Sequence, residues 1–215
     1  MEPYINVNNV PVIVLNTKKD YNDGHYISFD RVLAMGKDKK TKEVDNEFGR
    51  PVAIIFSSGT TGKAKPIVHN NYSINMAAQK ILFTDYDLNS NSVMVQTVPP
   101  HIGLGLITTL DTSLVSGTKL YFMQSPGPKE NVILTTEYIK NFSKFLVDNN
   151  LSSNTKLTIF SAPMFYRGIY NFLGDAEDLS FINGMLAAGS KMGIDELKIM
   201  EDFFKTKNCN TKICN

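Results

Sequence analysis

The chain has 215 residues, of which 42% are hydrophobic and 20% charged, so it is long enough to bury a core and has the composition of a folded globular protein. Its 22 basic and 21 acidic side chains give a net charge of +1, which favours neither nucleic acid nor an anionic membrane as a partner. Two cysteines, Cys209 and Cys214, are too few for a disulfide framework or a zinc site, and no apolar run could span a bilayer. We therefore expect reduced thiols and a cytoplasmic protein without a membrane span.

Two short apolar runs in the first part of the chain predict strands. Residues 10–16 and 51–56 are rich in β-branched side chains, which is typical of buried parallel strands. The charged stretch 37–45 predicts a solvated connector between them. After a polar loop, "NYSINMAAQKILF" places its apolar residues on one helical face, with Asn70 or Asn71 as the N-cap.

Strand and helix patterns alternate over the rest of the chain. The predicted strands are "SVMVQTV", "TKLYFM", "KLTIF" and "FINGMLA". The predicted helices are "LGLITTLDTSLVSG", which ends at Gly117, residues 133–146, and "GIDELKIMEDFFKT". Such alternation predicts an α/β fold, with a mostly parallel sheet flanked by helices.

The loop "SSGTTGKAK", residues 57–65, combines glycines, hydroxyls and lysines between a predicted strand and a predicted helix. Backbone N–H groups, O–H donors and a helix N-terminus that converge in this way suit phosphate. The Walker pattern is excluded, because Ser57 stands five residues before Gly62 and Ala64 follows Lys63. The dinucleotide pattern is excluded by the glycine spacing, and a flexible surface turn is the alternative interpretation.

This loop closely resembles the phosphate-binding signature of the adenylate-forming superfamily, which includes acyl-CoA synthetases, firefly luciferase and the adenylation domains of nonribosomal peptide synthetases. "PIVHNNYSI", "TVPPHIGLGL", "KLTIFSAP" and "LAAGSKM" are similar to later motifs of the family and follow in the family order. The resemblance covers nearly the whole chain. It implies that residues 1–215 are an incomplete N-terminal AMP-binding (adenylation) domain, with the C-terminal domain absent.

The resemblance also implies roles for individual residues. Lys65 would have a catalytic role as the lysine of this loop, which offsets charge on the departing pyrophosphate when a carboxylate attacks the α-phosphorus. The implied nucleotide-binding residues are Ser57, Ser58, Gly59, Thr60, Thr61, Gly62, Gly189 and Ser190. The implied acid-binding residues are His101, Gly103 and Ala188. A lone histidine after a strand is more often a packing residue, and only its place in the family motif favours the acid site for His101.

Three positions depart from the family pattern. Ala64 replaces a proline, which mainly loosens the loop. Pro66 replaces a glycine, which fixes φ and removes an N–H group from the end of the loop. Ala188 replaces the first glycine of the wall where the adenine and the acyl group would meet. If the missing amide of Pro66 belongs to the phosphate site, we expect a lower affinity for nucleotide.

The function implied by the resemblance is that of a fragment of an ATP-dependent ligase that activates a carboxylic acid as an acyl-adenylate. A thiol of coenzyme A or of a carrier protein would then accept the acyl group. ATP and Mg²⁺ are the implied cofactors, and the main Mg²⁺ ligand belongs to a "GYGxTE" motif expected beyond Asn215. We expect the isolated chain to be inactive or nearly so, and to self-associate weakly. The alternatives are a non-catalytic nucleotide-binding module that retains only the phosphate loop, and a degenerate remnant that binds no ligand.

Overall fold

The structure, a computed structural model, describes residues 11–42, 45, 47–57, 64–122, 127–174 and 178–215. The chain divides into two compact units, Met1–Asp45 and Asn46–Asn215. All of the residues that the sequence proposes for a site belong to the larger unit.

The smaller unit contains two short parallel strands and one helix. Strand β1 (Val12–Val14) pairs with β2 (Tyr26–Ser28), and helix α1 (Phe29–Gly36) follows directly. The predicted strand at 10–16 is therefore present in part, but its predicted burial is wrong, because Ile13 and Leu15 are exposed. Two strands of three residues each and one helix provide too little neighbouring surface to cover both sides of a strand.

The larger unit begins with an antiparallel hairpin. Strand β3 (Pro51–Ser57) pairs with β4 (Lys65–Asn70), so the prediction of a buried parallel strand at 51–56 is wrong. Ile54 and Phe56 lie on an exposed face of this hairpin. Strand β4 was not expected, because a sequence that begins with lysine and proline lacks a strand pattern, and its partner β3 decides its conformation.

Helix α2 (Asn71–Leu82) follows the hairpin and begins with a capping box. The Asn70 side chain accepts a hydrogen bond from the Ser73 N–H at 2.8 Å, and the Ser73 hydroxyl oxygen accepts one from the Asn70 N–H at 3.2 Å. This arrangement satisfies two backbone donors at the start of the helix. The predicted helix is confirmed, and Asn70 rather than Asn71 is its N-cap.

The core of the larger unit is a five-stranded parallel sheet in the order β6-β5-β7-β8-β9. Its strands are β5 (Ser92–Gln96), β6 (Lys119–Phe122), β7 (Lys156–Ser161), β8 (Ile182–Ala187) and β9 (Ile213–Cys214). Every neighbouring pair is parallel. The predicted α/β fold with a mostly parallel sheet is confirmed, and only the two-residue β9 was not predicted.

Helical segments connect the strands of the sheet. A π-helix (Leu104–Asp111) and α3 (Thr112–Ser116) follow β5, α4 (Pro128–Lys140) and α5 (Phe142–Asp148) follow β6, α6 (Pro163–Leu173) follows β7, and α7 (Ile194–Lys205) follows β8. The predicted helix ending at Gly117 is thus present, with a π-helical first part. The predicted helix at 133–146 is divided at Asn141, between α4 and α5.

The two faces of the sheet carry separate apolar clusters. The larger cluster packs side chains of α4, α5, α6 and α7 against Val93, Val95, Leu157 and Ile159. On the opposite face, Met94 and Phe160 pack with Tyr86 and with Ile81 of α2. The chain leaves β5 toward β6 and then crosses to β7 on the other side of β5, and right-handed crossovers place these two connections on opposite faces.

Both cysteines are free thiols. Cys209 is buried, and this burial raises the pKa of its thiol, whereas Cys214 is exposed. Among the residues that the structure describes, no helix has the length and apolar character needed to cross a membrane.

Candidate functional site

The carboxyl ends of β5 and β7 form the switch point of the sheet, because the connections that leave these neighbouring strands, to β6 and to β8, run in opposite directions. In open α/β sheets, ligands bind in the crevice outside such a point. Thr97 follows β5 and Ser161 ends β7, and the Thr97 hydroxyl donates a hydrogen bond to the Ser161 Oγ at 2.8 Å. Both side chains are buried, so they hold the two strand ends together beneath the crevice.

A closed loop, Val98–Gly105, follows Thr97 and is called the histidine loop here because it carries His101. His101 is exposed, and the N–H of Ile102 donates to the Pro99 carbonyl at 3.1 Å, which closes a turn around it. At Gly105 the chain returns to the start of the loop, where a Cβ would lie 2.6 Å from the Val98 carbonyl oxygen. Only glycine permits this approach.

The end of the hairpin places Ser57 directly opposite Lys65. Opposite residues of an antiparallel pair share a face, with Cβ atoms roughly 5 Å apart. Ile55 lies on the same face, and a Cβ on Gly103 would lie 3.9 Å from its Cγ2 atom. The structure therefore brings Ser57 and Lys65 onto the hairpin face that meets the histidine loop.

The predicted phosphate loop is described in part. Ser58, Gly59, Thr60, Thr61 and Gly62 lie outside the described residues. The two ends of that loop, Ser57 and Lys65, are described, and they are paired at the end of the hairpin.

The turn after β8 contains Ala188, Gly189 and Ser190. The Ala188 N–H donates to the Ser161 carbonyl at 2.9 Å, so this turn begins beside the switch point. Gly189 has a φ of +88°, a left-handed conformation that favours glycine. Ala188 stands where the family pattern has a glycine. Its backbone hydrogen bond to Ser161 is compatible with the additional methyl group.

Asn215 holds this turn in place. Its Nδ2 donates to the Ala187 carbonyl at 2.8 Å and to the Ser190 carbonyl at 3.3 Å. Its Oδ1 accepts from the Met192 N–H at 3.0 Å. Sequence analysis missed this residue, because nothing in the local pattern around a single asparagine indicates a partner more than 20 residues away.

Tyr166 joins the two strands that support the turn. Its hydroxyl is bonded to the Ile159 carbonyl at 2.6 Å and to the Leu186 carbonyl at 3.0 Å. The side chain is fully buried, and this burial raises the pKa of the phenol well above its ordinary value. Tyr166 therefore remains a neutral donor that ties β7 to β8.

The predicted site residues form two groups. Ser57 and Lys65 lie on the hairpin face that approaches the histidine loop at Gly103, and His101 lies on that loop. Ala188, Gly189 and Ser190 lie beside the ends of β7 and β8. Thr97 connects the groups along the chain, since it is bonded to Ser161 and lies four residues before His101. Among the described residues, no hydrogen bond joins the Ala188 turn directly to Lys65 or His101.

The AMP-binding enzyme family matches residues 9–211, and the chain belongs to this family. The match covers both groups of predicted site residues. It confirms the resemblance to the adenylate-forming superfamily that the loop "SSGTTGKAK" indicates. A comparison with curated proteins finds no significant match.

Solved structures with a similar fold come from the same superfamily. The McyG A-PCP complexed with phenylalanyl-adenylate has a TM-score of 0.65 and 12% identity, over 86% of this chain and 32% of that chain. The fatty acyl-adenylate ligase from L. pneumophila, in complex with acyl adenylate and pyrophosphate, has a TM-score of 0.62 and 17% identity, over 92% and 34%. ATP-bound MatB from Rhodopseudomonas palustris has a TM-score of 0.59 and 13% identity, over 87% and 34%. The present chain thus spans about a third of the length of these proteins, and at these identities the likeness shows the fold.

Proposed function

We propose that this chain is part of an ATP-dependent ligase that activates a carboxylic acid as an acyl-adenylate. The observation that carries the proposal is the pairing of Ser57 with Lys65 on the hairpin face that meets the histidine loop. It presents an exposed ammonium group and a hydroxyl at the base of a glycine-rich loop. Family membership and the ligands named for the similar structures support the same activity.

In the proposed reaction, a carboxylate oxygen attacks the α-phosphorus of ATP, and the bond from that phosphorus to the pyrophosphate oxygen breaks. Negative charge grows on the departing pyrophosphate, and Lys65 stabilises it from the end of the phosphate loop. His101, at the tip of the histidine loop, orients the acid. The turn at Ala188, Gly189 and Ser190 forms the wall between the nucleotide and the acyl group.

Mg²⁺ enters the proposal as the partner of the triphosphate, for which it is the usual counter-ion. Among the described residues, no three His, Cys, Asp or Glu side chains come together as a metal site. We assign the proposed site residues among the described part of the chain to the phosphates and the acid.

The acyl acceptor is a further part of the proposal. We propose the thiol of coenzyme A, with a carrier-protein thiol as the alternative, since the similar structures include an A-PCP protein as well as acyl-adenylate ligases. The described residues do not select one carboxylic acid. A screen of fatty, aryl and amino acids with a complete adenylation domain is the direct route to its identity.

Isothermal titration of the 215-residue chain with ATP and MgCl₂ tests the nucleotide site. We expect binding heat, and we expect Lys65→Ala to weaken binding by at least about tenfold, because it removes a charge-assisted contact of about 1.5–3 kcal/mol. Lys80→Ala is the matched control, since Lys80 is exposed on α2 and should leave the affinity unchanged. Absence of heat with the unaltered chain, or equal losses in both variants, would contradict the proposal.

A further inference from the structure

Gln96 is a buried amide at the end of β5, with only 2% of its surface exposed. Its Nε2 donates to the Val98 carbonyl and, at 3.4 Å, to the Gly105 carbonyl. These carbonyls stand at the first and the last residue of the histidine loop. One side chain therefore joins both ends of the loop that carries His101.

The neck of the loop is closed by a second set of contacts. The Gly105 carbonyl also accepts a hydrogen bond from the Thr109 hydroxyl at 2.7 Å, within the π-helix in which the histidine loop ends. No side chain fits at Gly105, because a Cβ there would lie 2.6 Å from the Val98 carbonyl oxygen and closer still to that of Pro99. Fixing the neck removes conformational freedom from the residues at the tip.

The environment of Gln96 shows that this amide has a cost for the fold. It lies on the sheet face where Met94 and Phe160 form an apolar cluster. Its Oε1 atom is buried and has no hydrogen-bond partner among the described residues. A buried acceptor without a partner destabilises the folded state, so an apolar residue at this position would serve the core better. The Nε2 group of the amide offsets this cost, because it donates hydrogen bonds to the Val98 and Gly105 carbonyls.

We propose that Gln96 is a positioning residue, which holds the histidine loop so that His101 faces the carboxylic acid. The proposal rests on the proposed function, in which His101 orients the acid. Gln96 does not touch the reacting atoms and acts only through the loop. A preorganised group of this kind reduces the ordering that binding of the acid would otherwise require.

The variant Gln96→Met tests the proposal by nuclear magnetic resonance, since methionine has a similar volume and no N–H donor. We expect the heteronuclear NOE of the Ile102 and Gly103 amides to fall, and the His101 ring signals to sharpen and move toward random-coil values. Asn183→Leu is the matched control, because Asn183 donates to the Tyr86 carbonyl at 2.8 Å from the amino end of β8, away from the loop. Unchanged His101 signals in Gln96→Met, or the same change in both variants, would overturn the proposal.

A second measurement on the unaltered chain applies if Gln96→Met does not fold. The side-chain N–H₂ protons of Gln96 should exchange with solvent at least about 100-fold more slowly than those of Gln79, which is exposed on α2. Equal exchange rates would show that the neck is open and would overturn the proposal. Neither the resonance experiment nor the exchange experiment uses nucleotide or acid. The titration with ATP tests the proposed function independently of them.

Discussion

Strands β3 and β5 have similar apolar sequences and opposite environments. Every residue of β5 is buried, because β6 and β7 flank it and helices cover both faces of the sheet. In β3, Ile54 and Phe56 are exposed, since among the described residues the strand pairs with β4 alone. The comparison teaches that apolar content marks a strand, whereas the number of neighbouring elements decides its burial.

The same difference separates two parts of the proposed site. Thr97, Ser161 and the Ala188 turn are attached to the packed sheet. Lys65 is carried by the hairpin, which has little buried apolar surface and therefore belongs to the less stable part of the unit. The hairpin that carries the proposed phosphate-binding lysine is thus less well supported than the turn at Ala188.

The largest expected effect comes from one substitution made in both regions. Phe160→Ala should lower the free energy of unfolding by about 3–5 kcal/mol, because the ring is fully buried and contacts Tyr86. Phe56→Ala should change it by less than about 0.5 kcal/mol, because 64% of that side chain is exposed. Urea unfolding of the two variants measures the difference. Similar losses would show that the hairpin is as well packed as the sheet.

An intermediate effect is expected at the sheet edge of the site. Asn215→Ala removes three side-chain hydrogen bonds to the turn after β8, which should cost about 1–2 kcal/mol and speed exchange of the Met192 amide proton. Asn210→Ala provides the control, because Asn210 is exposed and close in sequence. Urea unfolding with amide hydrogen exchange measures both quantities. If Met192 exchanges equally fast in both variants, Asn215 is not what holds the turn.

The smallest expected effect concerns the partly buried carboxyl group of Asp111, in the π-helix that follows β5. Burial raises the pKa of Asp111, a π-helix residue whose Oδ2 atom has no hydrogen-bond partner among the described residues. The folded state then holds the proton more tightly than the unfolded state, so this group lowers stability as the pH rises above its ordinary pKa of 3.8. Asp111→Asn should therefore stabilise the chain at neutral pH, by less than about 1 kcal/mol because the side chain is partly exposed to solvent.

The pH dependence supplies the control for this variant. The gain should disappear as the pH falls below the unfolded pKa, where Asp111 is protonated in both states. Thermal unfolding of both chains between acidic and neutral pH gives the comparison. A stabilisation that is the same at every pH would assign the effect to packing instead of ionisation.

Local patterns predicted much of the fold. The strands at β5, β7 and β8 and the helix after Asn70 depend on apolar periodicity and on capping, which act within a few residues. The split between α4 and α5 at Asn141 was not predicted, since the apolar stripe continues across it. Strand β4 was missed because its pairing with β3 overrides a sequence that begins with lysine and proline.

For the site, the order of residue types in "SSGTTGKAK" indicated the family, because glycines, hydroxyls and a lysine at these spacings suit a phosphate. The residues whose hydrogen bonds hold the loops of the site could not be predicted in this way. Gln96 bonds to Gly105, Tyr166 to Leu186, and Asn215 to Ala187, and each pair is separated by nine or more residues. Only folding makes them neighbours.

By itself, the sequence determined the class of fold and the family, since these depend on short-range order along the chain, and the same order predicts the chemistry of the phosphate loop. The tertiary structure decided which apolar strand is buried, which residue faces Lys65, and which amides hold the histidine loop and the turn at Ala188. The physical reason is that burial and hydrogen bonding depend on neighbours in space. The crossover connections of the parallel sheet bring those neighbours together from distant parts of the sequence.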